Sequence, residues 1–323
     1  MGAMAPEAPL PSPSSTALPV AVRSLLRHFH RQSPIRGGSL LITVFGDSIA
    51  PRGGAITLGS LISLTHPFEL TERLVRTSVA RLASDGWLLT RRDGRRSEYR
   101  LSPVGLERFA EATRRIYGEI PSTWDRQWTL LVLQPGIGGR RQDVRDELRW
   151  LGFGQISPGV FAHPNWSIEE ARAALNGIDG AAHALLLKSE SEGSEADRRL
   201  VASGWDLGEL TRRYRRFVEL FRPVSAAIGS ATPIDLSDEA AFVIRTLLIH
   251  EYRKIHLQDP LLPPALLPCD WVGAAAYELT RQLYSAVFAA AESYLSNTAS
   301  TMSEPLPPAD NRAHARFGGL TPA

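Results

Sequence analysis

The 323-residue chain has one cysteine, Cys269, and two lysines, Lys188 and Lys254, so nearly all its positive charge sits on arginine. One cysteine excludes an internal disulfide and any cysteine-based zinc finger. The scarcity of lysine reflects codon composition rather than function. No apolar run approaches the roughly 18 residues that a membrane-spanning helix needs. Residues 1–20 show no charged start followed by a hydrophobic core, so the chain reads as cytoplasmic. Also absent are a nucleophile elbow, a glycine-rich GxGxxG after a strand, and a phosphate-binding P-loop. Cys269 with a distant histidine is not a catalytic dyad by spacing alone. These absences point away from an enzyme, and neither a cofactor nor a bound metal is expected. No internal repeat is found.

What is present is ample apolar material, 43% of residues, on a length that suggests two to three domains. The net charge of +2 hides an uneven division. Residues 1–34 carry Arg23, Arg27 and Arg31 against Glu7, residues 35–118 carry 13 arginines against 8 acids, and the remainder is acidic by five charges. A basic front on an acidic body fits one nucleic-acid-binding domain on a scaffold with another task.

The most informative stretch is 69–101, ELTERLVRTSVARLASDGW followed by LLTRRDGRRSEYRL. Thr71 is placed to cap a helix, and Glu72 suits the positive end of its dipole. Leu74, Val75, Ser78, Val79 and Leu82 recur at helical spacing and form a buried stripe. That turns Arg73, Arg76, Thr77 and Ala80 outward, with Arg81 beside them. Long cations interspersed with small residues suit a helix lying in a DNA groove, although a solvated face has the same composition. Asp93-Gly94 marks a hairpin turn between two strands, and the hairpin presents Arg91, Arg92, Arg95 and Arg96. A helix followed by a basic hairpin is the winged form of the helix-turn-helix.

The remaining chain reads as follows. Residues 1–34 form a disordered tail, with a short helix from Val22 stopped by Pro34. Residues 35–118 form the winged helix-turn-helix: GGSLLITVFGDSI is its first helix, Ala55–Thr57 a short strand, Leu58–Thr65 the second helix, and a further helix starts at Ser102-Pro103. Pro121 opens residues 119–200, where strand and helix alternate from WTLLVLQ, ended by Pro135-Gly136, to AHALLLKSE in a ferredoxin-like layer. Residues 191–199 read as a linker or surface loop. Residues 201–298 are helical, with one helix ending near Pro223, another opening at Ser237, and a third from Val272. Between the last two, DPLLPPALLPCDW is too rich in proline for regular structure and too apolar to hang in water. Residues 299–323 form a tail in which RFGGL can dock.

Two clusters after Gly204 have the composition of an anionic-ligand site. Arg212, Arg213, Arg215 and Arg216 crowd one helix, and His250, Tyr252, Arg253 and His256 interrupt an apolar one. Trp271 follows the proline-rich segment. Each also has a plain structural reading, as surface charge, satisfied core groups and core cover respectively. His250 and His256, six apart, do not share a helix face for a metal.

Three blocks together resemble the PaaX family of phenylacetic acid operon repressors. They are GSLLITVFGDSIAPRGGAITLGSLI, then ERLVRTSVARLASDGWLLTRRDGRRSEYRLSPVGLERF, and a rear set of FRPV, LLIHEYRKIHLQDPLLPPALLPCDWVGAAA and RFGGL. The resemblance implies a winged helix, a middle domain similar to Cas2 proteins that supports dimerisation, and a helical C-terminal domain. It also implies an aryl-acyl-CoA inducer such as phenylacetyl-CoA. Such an inducer carries three phosphate groups, so Arg212, Arg213 and Arg216 are candidates for its cationic rim, with His250, Tyr252, Arg253 and Trp271 around the acyl part. The Cas2 likeness raises the possibility of a nuclease, but WTLLVLQ ends in no carboxylate and Asp125 precedes it. The two rival readings are an acyl-CoA-binding enzyme with an accessory DNA-binding domain and a DNA binder without an effector.

Overall fold

The computed structural model describes residues 13–32, 37–120, 123–133, 141–178, 181, 183–230 and 236–320. The expectations attached to residues 1–12, Pro34, Pro121 and Pro135-Gly136 lie outside them. No helix among the described residues is long and apolar enough to cross a membrane. The chain divides into two compact units. The first holds residues 1–117, 217–252 and 275–323, and the second holds 118–216 and 253–274.

The front of the first unit contains α1 (Pro13–Arg31), α2 (Gly37–Val44), β1 (Ala55–Thr57), α3 (Leu58–Thr65), α4 (Glu72–Ser84), β2 (Leu88–Asp93), β3 (Arg96–Leu101) and α5 (Pro103–Tyr117). Its three strands form an antiparallel sheet in the order β1-β3-β2. Thr57 caps α3 and Thr71 caps α4, each accepting from the backbone N–H three residues on, as expected of threonine at a helix start. Ser102 likewise accepts from Gly105 N at 2.9 Å and starts α5. An added Cβ at Gly105 would lie 2.4 Å from the carbonyl oxygen of Trp87, just ahead of β2, so only glycine lets α5 approach that backbone this closely.

Of the disordered tail expected over 1–34, residues 13–31 form α1, which includes and extends the short helix expected from Val22. Leu18, Ala21, Leu25 and Phe29 form a buried stripe on it, and the Phe29 ring meets those of Phe68 and His250 edge-on. Apolar spacing in the segment overrides its proline and serine content.

In the second unit come β4 (Gln127–Val132), α6 (Arg141–Trp150), β5 (Gly154–Ser157), β6 (Val160–His163), α7 (Ile168–Leu175), β7 (Leu185–Glu190) and α8 (Ser194–Gly204). The four strands are antiparallel in the order β5-β6-β4-β7, which with α6 and α7 is the ferredoxin-like βαββαβ arrangement. Its core gathers Leu131, Val144, Leu148, Phe153, Phe161 and Leu175. Ser167 and Glu170 form the capping box of α7. The stretch read as a linker is mostly α8. Asp197 on α8 is buried and accepts from the Trp128 indole at 2.9 Å and from Ser191 at 2.6 Å, which fixes the segment to β4.

The rear helices are α9 (Leu207–Ser230), α10 (Asp238–His256), α11 (Gly273–Thr298) and the short α12 (Asn311–His314). Of the helical stretch expected over 201–298, residues 217–252 and 275–298 belong to the first unit and the rest to the second. Helix α9 also continues past Pro223 to Ser230. Phe217, Phe221 and Val224 are buried along it, and packing here outweighs the helix-breaking tendency of proline. The residues after 298 are structural rather than a loose tail. Ser300 O accepts from Thr57 N at 3.0 Å, Glu98 accepts from Met302 N at 2.8 Å, and Leu306, Ala313 and Phe317 are buried, so the expected docking of RFGGL is realised.

At the centre of the first unit lies a buried ionic cluster. Past the end of α2 the helix widens over Phe45–Ile49, which turns Asp47 inward to 2% exposure. Its Oδ1 accepts from Tyr117 at 2.6 Å, Tyr284 at 2.9 Å and Arg316 at 2.9 Å, while Oδ2 accepts from Arg245 Nε at 2.7 Å. Arg245 Nη1 also donates to Glu292 at 2.5 Å, and Arg52 donates to Glu292 and, at 2.6 Å, to Ser48 O. Burial pushes the Asp47 carboxyl up. Arg245, Arg316 and the two phenols outweigh burial and hold it below the usual carboxylate value. Burial, followed by the nearby Arg245, brings Arg52 down to about 10.

Replacing Asp47 by Asn leaves Arg316 without its carboxylate and Arg245 with Glu292 alone, which costs about 3–5 kcal/mol. Urea unfolding is expected to show a loss in that range. Because the folded carboxyl titrates below its unfolded value of 3.8, it stabilises the fold above that pH. Its contribution disappears as pH falls through the lower folded value. Wild-type stability should therefore drop in acid more steeply than that of Asp47→Asn.

Candidate nucleic-acid interface and ligand groove

The amphipathic pattern of α4 is reproduced residue by residue. Val75, Ser78, Val79 and Leu82 are buried and Leu74 is partly so, leaving Arg73, Arg76, Thr77, Ala80 and Arg81 exposed. Arg76 reaches back to Glu72 at 3.1 Å, and Arg81 lies 3.8 Å from Asp85. Both are exposed i,i+4 pairs worth a few tenths of a kcal/mol, which a phosphate can displace. Thr77 donates to the Arg73 carbonyl at 2.8 Å and so keeps its side chain against the helix.

The hairpin after α4 is anchored at its base, where Leu88, Tyr99 and Leu101 are buried, and is free beyond it: Leu89 to Arg96 are all exposed. Asp93 pairs with Arg96 across a two-residue turn, in which Gly94 has φ +55°. Arg91, Arg92, Arg95 and Arg96 therefore stand on an exposed arm in the same unit as α4. Among the described residues none of the four forms an ion pair.

The second unit carries an open groove of about 810 Å³. Trp205, Leu207, Leu266 and Leu267 supply apolar wall, and Arg198, Arg212 and Arg215 supply cations. Arg212 is paired with Glu209 at 2.7 Å, and Arg215 lies 3.6 Å from Asp270. An added Cβ at Gly154 would stand 2.5 Å from the Trp205 ring, so β5 backs that wall closely. The volume and the mixture of walls and cations suit a ligand that is partly apolar and carries negative charge.

Of the residues named for the inducer's cationic rim and acyl part, Arg212 alone lines this groove. Arg213 donates to Gln258 at 2.6 Å and to the Lys254 carbonyl, and Arg216 is exposed elsewhere on α9. His250 is 2% exposed, lies 3.1 Å from Thr43 Oγ1 and meets Phe29 edge-on. Tyr252 is fully buried against Phe217. His256 and Asp259 both share the Tyr214 hydroxyl, at 3.0 and 2.7 Å. Trp271 packs edge-on to Tyr214 and over Gly273, and Arg253 is half-buried. For His250 and Tyr252 the reading as ligand contacts gives way to that of hydrogen-bonded or packed core groups, because an otherwise apolar helix buries them on all sides.

Arg215, from the same arginine cluster, also lines the groove, whereas Arg198 and Trp205 complete it and were not singled out by the sequence. The visible signal was the apolar Leu266-Leu267 pair within a segment too rich in proline to be helical. Among the described residues no group of three or more His, Cys, Asp or Glu could hold a metal. Asp125 precedes β4 and accepts from Gln127 N at 2.9 Å, so it serves a turn.

Comparison with known proteins covers most of this architecture. Models of the PaaX-like protein, of the PaaX central Cas2-like domain and of the PaaX-like C-terminal domain match residues 36–105, 121–201 and 205–297. The transcriptional repressor PaaX of Escherichia coli K12 is 35% identical over 300 residues, which are 92% of this chain and 95% of that protein. An uncharacterised protein from Mycobacterium tuberculosis, known as a solved structure, aligns over 84% of this chain and 96% of its own. It is 23% identical, with a TM-score of 0.47. With its middle domain Cas2-like and the greater part of its length matched to one repressor, this chain belongs to the PaaX family.

Proposed function

We propose that the protein is a dimeric transcriptional repressor of an aromatic-acid, phenylacetate-type catabolic operon, released from its operator by an aryl-acyl-CoA such as phenylacetyl-CoA. The observation that carries the reading is the paired basic surface of α4 and the β2-β3 hairpin in one unit. In this reading the front of that unit is a winged helix-turn-helix, α3 and α4 are its two motif helices, and the hairpin is its wing. Arg73, Arg76, Thr77 and Arg81 enter the major groove, and Arg91, Arg92, Arg95 and Arg96 meet phosphates or the adjoining minor groove. The name of the Escherichia coli relative supports repression.

The groove lined by Trp205 and Arg212 is the inducer site in this reading. Dimerisation uses the edge of the ferredoxin-like sheet, where Leu185 and Leu187 on β7 are 52% and 49% exposed and alternate with the half-buried Leu186. Solvent-facing leucines on an edge strand are a liability unless something covers them. The inducer acts by favouring a state whose two α4 helices no longer fit successive half-sites.

The direct test is a gel shift on DNA upstream of the protein's own gene, titrated with phenylacetyl-CoA, free phenylacetate and CoA in parallel. Retardation relieved by the thioester alone, with the thioester recovered intact, is expected. No retardation at any salt concentration would sink the reading. Arg76→Ala should weaken operator binding by about 1–3 kcal/mol if it reads a guanine, or flatten the salt dependence if it holds a phosphate. Arg212→Ala with Arg215→Ala should leave operator affinity intact and raise the inducer concentration needed for release about tenfold or more. Leu185→Glu with Leu187→Glu should sediment as a monomer.

A further inference from the structure

Resting on the reading of the chain as a DNA-binding protein, we propose that α1 is a second DNA-contacting element, a phosphate clamp beside the recognition helix. Arg23, Arg27 and Arg31 recur at i, i+4 and i+8, opposite the buried stripe of Leu18, Ala21, Leu25 and Phe29, and all three are exposed. Among the described residues none of the three forms an ion pair. Over eight residues a helix rises about 12 Å. That matches the axial distance covered by roughly three to four phosphates of one strand, spaced about 3.4 Å apart. Arginines on one helix face at this interval therefore track a single strand without reaching a base.

The ladder is also held in a useful place. His30 Nε2 lies 3.3 Å from Glu69, and Gln32 donates to Glu251 at 2.7 Å, so the C-terminal half of α1 is fixed at both points. Glu69 sits in the turn that leads into α4, two residues before the Thr71 cap, with φ +55°. A surface groove of about 730 Å³ runs between the α1 face and this turn, lined by Val20, Arg23, Leu26, Arg27, Arg31 and Glu69. The α1 cations thus flank the N-terminal end of α4, the end from which a recognition helix reaches base edges while a neighbouring helix crosses the backbone. Among the described residues, the one carboxylate lining this groove, Glu69, already faces His30. An anionic polymer is the partner this surface fits, and duplex DNA held by α4 brings one to it.

Phosphate contacts carry no sequence information, so the clamp raises affinity for operator and unrelated duplex alike. The experiment measures binding of the full-length protein to the upstream fragment and to a random duplex of equal length, over a range of salt concentrations. In the Arg23→Ala, Arg27→Ala, Arg31→Ala variant the slope of log affinity against log salt should become shallower by about 2 to 3, at roughly 0.9 per lost phosphate contact. Both duplexes should bind at least about tenfold more weakly at low salt. The corresponding triple lysine variant keeps the charge and should restore most of the slope, which separates charge from any effect on folding. A wild-type slope in the alanine variant would overturn the clamp and leave the ladder a solvated face. Loss confined to the operator fragment would also overturn it, since that implicates α4. Failure of the wild-type protein to bind either duplex would instead refute the parent reading.

Discussion

The first unit depends on one carboxylate. Asp47 takes four hydrogen bonds from side chains that lie 70 to 269 residues away in sequence: Tyr117, Arg245, Tyr284 and Arg316. Each donor comes from a different element, so the one acceptor fixes α5, α10, α11 and the segment after α12 against the widened end of α2. Arg316 additionally lies over the Tyr117 ring at 4.1 Å, and Arg245 lies 5.0 Å from the centres of both Tyr284 and Phe288. A buried ion pair often contributes little net stability relative to apolar groups of the same volume. Its directional bonds nonetheless admit one arrangement of the elements, whereas apolar packing alone tolerates several.

Arginine is required at these positions. Arg245 uses three separate nitrogens toward Asp47 and Glu292, and Arg316 uses Nη1 toward Asp47, its carbonyl and Tyr284 and Nη2 toward the Gly46 carbonyl at 3.5 Å. A lysine offers a single point of donation and a strongly hydrated charge that resists burial. The arginine surplus therefore separates into two populations by environment. Arg52, Arg245 and Arg316 are withdrawn into the cluster, while Arg23, Arg27, Arg31, Arg73, Arg76 and the hairpin set are left in solvent. Counting the buried Arg52 in the basic front overstates the charge available to a partner.

This explains what could be read from the sequence. Local signals were legible: the Thr71 cap, the apolar stripe of α4, the Asp93-Gly94 turn, the Ser167 capping box and the alternation of strands and helices in the middle domain each involve residues within a few positions of one another. The ionic cluster was not legible, because Asp47, Arg245, Glu292 and Arg316 are isolated charges in four separate segments and gain meaning only when the fold joins them. The same limit misled the reading of α10. His250 and Tyr252 look like ligand groups on an apolar helix, but their partners, Thr43 and Phe217, lie on distant segments. Composition misled over 13–31, where proline and serine suggested disorder, and over 194–199, where charge suggested a linker or surface loop. In each, a few well-spaced apolar residues or one buried acid hold a helix in place.

The position of α1 changes the expected balance between affinity and selectivity. If only α4 and the hairpin met DNA, the basic contacts would share one region with the base-reading groups, and affinity and sequence discrimination would fall together on mutation. A separate arginine ladder that contacts only phosphates decouples them. It adds the same free energy on every duplex, so it leaves the ratio of operator to random binding unchanged while lengthening residence on both. On the proposed reading, a protein built this way searches DNA through the charges of α1 and selects its site through α4.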